Sequence, residues 1–189
     1  MNKFVGGHQL SEELNSFFAK VQNDRALQKR LSVTKEISEV AYIAQEVGFD
    51  ITGADILRAQ ADRILSLPTE QQEVVACGGK PKSGAQWGRG GKGYLDSAGY
   101  WLIEFLRWGY IHSTFEQQLT PLLAKLKIDK ALQAKILVAK TYNDVARIMS
   151  AHGCEVSGVI LLLHQTEQIL KLDNEKAEIV TYGAGNKAQ

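Results

Sequence analysis

The chain has 189 residues, of which 44% are hydrophobic, and 22 basic side chains stand against 21 acidic ones. That is enough apolar material for one ordinary domain or two small ones, and it excludes a disordered tail. The balanced charge offers nucleic acid or an anionic membrane no global field, and the densest apolar run, Val159 to Leu163, is too short to cross a bilayer. With no long apolar run after a basic start, a cytoplasmic protein with neither nucleic acid nor membrane as partner is expected.

In chain order, Leu14, Phe17, Phe18 and Val21 fall at i, i+3, i+4, i+7 and predict a first helix, with Ser11 as its N-cap and Glu12 and Glu13 in its first turn. Asp24 caps a short second helix carrying Leu27 and Leu31. Thr34 caps a third, with Ile37, Val40, Ile43 and Ala44 inward, and Gly48 ends it as a left-handed C′ residue. A fourth starts from Thr52, with Asp55 three residues on, and runs through Ile56, Leu57 and Ile64. Thr69 caps a fifth, Glu70 to Ala76, which stops at Gly78 and Gly79. No window alternates strictly enough to read as a strand.

Residues 80–93 follow, with Lys80, Lys82, Arg89 and Lys92, five glycines and no acid, and read as a flexible cationic linker. Residues 94–112 then concentrate Tyr94, Tyr100, Trp101, Phe105, Trp108 and Tyr110 around Leu95, Leu102, Ile103 and Leu106. They predict a helix that either forms a shared core or offers an interface, since large aromatics serve both.

Beyond it the opening pattern returns. Residues 14–79 align with 119–184 at a constant offset of 105 and without a gap, so a unit of about 65 residues occurs twice. Ala26-Leu27-Gln28 recurs as Ala131-Leu132-Gln133, Gly48 as Gly153 and Gly53 as Gly158. Asp129, Thr141 and Ser157 are the expected caps, Gly153 the stop, and Asn174 stands near the last start. Pro121 fits if Thr120 caps and Pro121 takes the first helical position. The expectation is an all-α protein: two homologous small bundles, over residues 8–79 and 114–185, joined by a glycine-rich basic linker and an aromatic-rich bridging helix over 80–113. Bundles of that size are marginal alone, which favours their packing together.

The copies also differ. Asp55 and Arg58, expected on the solvent face of the fourth helix, become Ile160 and Leu163, while Asn23 becomes Ile128 and Ser32 becomes Leu137. This added apolar surface either packs against the rest of the chain or presents a face to another protein. The candidate partner-binding residues are therefore Tyr94, Trp101, Phe105, Trp108, Ile160 and Leu163.

Chemistry is sparse. Gly88 to Gly93 lacks the preceding strand and the Lys-Ser/Thr ending of a phosphate loop. His152 and Cys154 are too few for a structural zinc site. His164, whose counterpart is Ala59, reads as a packed imidazole, and no catalytic triad can be assembled. No catalytic residue, metal or cofactor is expected.

Several residues resemble the Nif-eleven domain, a small helical unit of nitrogen-fixation loci and of some peptide leaders. They are Phe17-Phe18-Ala19-Lys20-Val21, Asp24, Leu27, Leu31, the phrase Ile43-Ala44-Gln45-Glu46-Val47-Gly48-Phe49, Ile51, Ile56 and the ending Val74-Val75-Ala76-Cys77-Gly78-Gly79. The second copy looks like a diverged version, with Cys154 after the glycine and Ala184 in place of the second terminal glycine. The resemblance implies a non-enzymatic nitrogen-fixation accessory protein that binds the nitrogenase molybdenum-iron protein and protects or stabilises an inactive or incomplete form. Two alternatives stand beside it. One is a leader-type precursor cut after Gly79, which the lack of a Cys/Ser/Thr-rich core downstream disfavours, and the other is a metallocluster carrier.

Overall fold

A computed structural model describes residues 6–34, 36–79 and 116–181, and every regular element among them is helical. Ten helices are described: α1 (Gly6–Asn23), α2 (Arg25–Ser32), α3 (Ile37–Glu46), α4 (Gly53–Ser66), α5 (Thr69–Ala76), α6 (Glu116–Ile128), α7 (Lys130–Leu137), α8 (Tyr142–Ser150), α9 (Gly158–Lys171) and α10 (Asn174–Thr181). The all-α expectation holds. The basic linker and the aromatic segment with Tyr94, Trp101, Phe105 and Trp108 lie outside the described residues.

The helix ends follow local chemistry. Asp24 accepts the N–H of Leu27 at 2.9 Å, and Asp129 that of Leu132 at 2.8 Å. Thr52 and Asp55 exchange bonds, N–H to carboxylate at 2.9 Å and N–H to hydroxyl at 3.2 Å, and Thr141 and Asp144 do the same ahead of α8. Ser157 Oγ accepts the N–H of Ile160 at 3.2 Å. Gly48, Gly78 and Gly153 have φ of 95, 81 and 77°, where a side chain would be strained. Each closes a Schellman motif, in which the following N–H reaches back to the carbonyl of Ala44, Val74 or Met149.

Four expected starts are corrected. The first helix already begins at Gly6, so Ser11 lies inside it. Thr34 spends its hydroxyl on the Leu31 carbonyl at 2.8 Å, and the α3 N-cap is Glu36, which makes no side-chain capping bond. The α5 cap is Pro68, with Thr69 already helical, whereas α10 starts at Asn174 as expected, with Asp173 accepting the Lys176 N–H at 2.8 Å. Pro121 lies within α6, which starts at Glu116, so one ladder bond is absent there.

The described residues form two compact units. The first holds 6–60 and 173–181, that is α1 to α3, the start of α4, and α10; the second holds 61–79 and 116–172. In the first, Phe17 is fully buried and meets Phe49 edge-on at 5.5 Å, with Leu27, Ile51, Ile56 and Leu57 around them. The second is built on Leu119, Leu126, Leu132, Ile136, Tyr142, Met149 and Leu162, and α5 packs along α9. The first unit therefore draws its helices from both ends of the described chain, and the second from its middle.

Candidate interaction surface

Three surfaces emerge from how these helices are turned. On α3, Ile37, Val40, Ala41 and Ala44 face the core, which leaves Tyr42 on the opposite side. Tyr42 is 63% exposed, a large area for an aromatic residue that the core does not use. Val33, directly after α2, is exposed beside it. Together with Arg30, Thr34, Ser38, Glu39 and Ile43 they line an open cleft of about 530 Å³, and Arg30 is ion-paired to Glu46 near its edge.

At the register-equivalent place in the second unit, Tyr42 and Glu39 are replaced by Arg147 and Asp144, which pair with each other. Burial works to raise the Asp144 pKa, but the hydroxyl and N–H of Thr141 and the guanidinium of Arg147 outweigh it and hold the carboxyl below its ordinary value. Asn143, in the place of Ser38, donates to Cys77 Sγ at 2.8 Å. The aromatic cleft thus belongs to the first unit, while the matching surface of the second is ion-paired and occupied by the end of α5.

The second surface is α9. Ile160 and Leu163 are both half-buried, whereas Leu161, Leu162, Thr166 and Ile169 are buried, so the helix is enclosed on most sides as its all-round apolar sequence requires. Asp55 and Arg58, their counterparts, are also half-buried. His164 is 1% exposed, and its pKa falls to about 4, chiefly because burial disfavours the imidazolium. Gln165 accepts a hydrogen bond from the Tyr142 hydroxyl and joins α9 to α8.

The third surface carries the other substitutions. Ile128 is 82% exposed and Val138 77%, so both lie mostly in solvent, while Leu137 is partly covered at 41%. His152 Nδ1 sits 2.8 Å from the Ile148 carbonyl at the end of α8, and the His152 carbonyl accepts from Lys125. Cys154 nearby is buried. No group of three potential metal-ligating side chains occurs among the described residues.

Tyr42 and Val33 were not among the residues singled out in the sequence. The signal was there, since an aromatic residue falling off the apolar face of a helix has to be either exposed or buried by a neighbour. No solved structure matches the chain. A protein-family model described as the Nif11 domain matches residues 11–56, the stretch that contains the Tyr42 cleft, which supports a Nif11-type domain in this part of the chain.

Proposed function

We propose that this chain is a non-enzymatic accessory protein of nitrogen fixation, built from two copies of a Nif11-type domain and resembling nitrogenase-associated factor T. It binds the nitrogenase molybdenum-iron protein and holds an inactive or incomplete form of it. The match over residues 11–56 supports a Nif11-type domain, and with it a role either associated with nitrogen fixation or leader-like. One structural observation favours this reading over a leader-type precursor: the double glycine is folded. Gly78 donates to the Val75 carbonyl at 2.9 Å and Gly79 to the Val74 carbonyl at 2.8 Å, closing the end of α5. A Cβ at Gly78 would already lie 3.0 Å from Thr141 Cγ2. A protease that needs an extended chain would first have to unwind that turn.

A partner shifts an equilibrium only through its differential affinity, so the protective action requires a surface that meets one form of the partner better than another. The Tyr42 cleft is our candidate for that surface, because it sets an exposed tyrosine near Arg30, two residue types enriched in binding hot spots. Ile160 and Leu163 stand as a second candidate face. Affinity capture of the full chain from nitrogen-fixing cells, with intact mass read on the recovered protein, tests the proposal. Nitrogenase subunits with an uncut chain are the expected result. Recovery of a chain cut after Gly79 with a peptide-modifying enzyme, and no nitrogenase, overturns it.

A further inference from the structure

The last described helix is held in the first unit by a shaped socket. At the start of α4, Ala54 N–H donates to Glu178 Oε1 at 2.8 Å, and a Cβ placed on Gly53 would lie 2.6 Å from Thr181 Oγ1. Glycine at 53 is what lets α10 come this close. Ala177 and Val180 bury their side chains on the same side. The helix reaches the socket through a two-residue joint: Leu172 closes the second unit and Asp173 begins the segment that belongs to the first.

That joint differs between the copies in one informative way. Leu67-Pro68 joins α4 to α5, and Leu172-Asp173 joins α9 to α10 at the same register. A proline bars the helical region for the residue before it, so Leu67 is fixed as a break. Asp173 imposes no such restriction. Leu172 already has φ −62°, the helical value, and departs from the helix only through ψ of 140°. Rotating that one angle continues α9 into α10 without withdrawing the buried Leu172 side chain, which is fixed by φ and its own χ angles. The sequence contains neither glycine nor proline from Val159 to Tyr182, so nothing else interrupts a continuous helix there. The break is held by the Asp173 cap on the Lys176 N–H and by the Asp173–Lys176 ion pair at 3.1 Å.

We propose that Leu172-Asp173 is a hinge through which two copies of this chain exchange α10, each seating it in the other's Gly53-Ala54 socket. The socket contacts are the same whether α10 arrives from its own chain or from a second, so exchange costs only the joint and the concentration-dependent entropy of association. The first copy cannot do this, because Pro68 keeps α4 and α5 apart. The acceptor chemistry defines the guest: a helix with Glu aimed at the Ala54 N–H and Thr three residues later against Gly53.

The experiment is sedimentation of the full-length chain over a wide concentration range, with far-UV circular dichroism to check that each variant is folded. Wild type is expected to form dimers as concentration rises. Asp173→Pro copies the joint of the first half and should abolish them, whereas Asp173→Ala removes the cap and favours the continuous helix, giving a dimer roughly fivefold to tenfold tighter. Adding Gly53→Val to Asp173→Ala closes the socket and should reverse that gain. A dimer indifferent to Asp173→Pro, or monomers at every concentration for both wild type and Asp173→Ala, overturns the proposal.

Discussion

Glu178 caps α4 from 124 residues further along the chain than Ala54, its Oε1 taking the Ala54 N–H at 2.8 Å. A carboxylate at the first turn of α4 serves both an open N–H and the positive end of the helix, so Glu178→Ala should cost about 1 kcal/mol. Glu178→Gln, which keeps an acceptor, should cost less. Urea unfolding of the two variants side by side measures the difference.

Gly53→Ala tests the same contact from the other side. The new methyl group would have to share space with Thr181 Oγ1, Cβ and Cγ2, all within 2.9 Å, so overpacking of about 1–3 kcal/mol is expected. Removing the obstacle should return part of it: the Gly53→Ala, Thr181→Ala double variant should be less destabilised than the sum of the two single changes. Strict additivity in a double-mutant cycle would place α10 elsewhere.

Gly48 and Gly153 make a cleaner case, because nothing lies within 4 Å of a Cβ at either. With φ of 95 and 77°, alanine meets only the backbone penalty, roughly 1 kcal/mol at each site. Asparagine, which tolerates the left-handed region, should cost less than alanine. Melting midpoints of the four single variants decide it.

These two glycines were legible in the sequence, as were the Asp24, Thr52, Asp129, Thr141 and Ser157 caps, because each rests on one residue type answering one local need. Thr34 was misread although the register held the correction: Thr141 caps α8, and the position 105 residues earlier is Glu36, which begins α3 without a side-chain bond. Thr34 is buried and bonds to Leu31, a use that composition cannot distinguish from capping. The exposure of Ile128, Leu137 and Val138 was equally out of reach, since an apolar residue at a helix end is neutral between core and surface until the neighbouring helices are placed. So was the socket for α10, which depends on a contact made across most of the chain.

His164 gives stability a pH dependence of predictable sign. In the folded chain its pKa lies at about 4, below the ordinary 6.5, chiefly through burial, so the unfolded chain binds the proton first. Stability should therefore fall as pH drops from about 6.5 to about 4, by about 3 kcal/mol in total, and His164 contributes no further loss below that. Asp144 acts in a lower window, because its folded pKa is lowered and its contribution disappears only as pH falls below the ordinary carboxylate range. His164→Leu should flatten the upper window and leave the lower one in place. An unchanged slope between pH 6.5 and 4 in that variant would show that another group titrates there.

The exchange of polar for apolar residues at positions 105 apart in the sequence separates packing from presentation. Ile128 is 82% exposed, so Ile128→Asn, which copies Asn23 at the position 105 residues earlier, should change stability by no more than about 0.5 kcal/mol. Ile160 and Leu163 are half-buried on a helix whose remaining faces are enclosed, so placing Asp and Arg there should cost about 1–2 kcal/mol at each site. Tyr42→Ala belongs with Ile128→Asn in stability, because its ring lies outside the core. If the Tyr42 cleft meets the partner, Tyr42→Ala should lose nitrogenase capture while melting like wild type. Ile160→Asp with Leu163→Arg would weaken capture and folding together if that face is chiefly packing, and capture alone if it is chiefly contact. Full capture by Tyr42→Ala at wild-type stability would remove the cleft from the proposed interface.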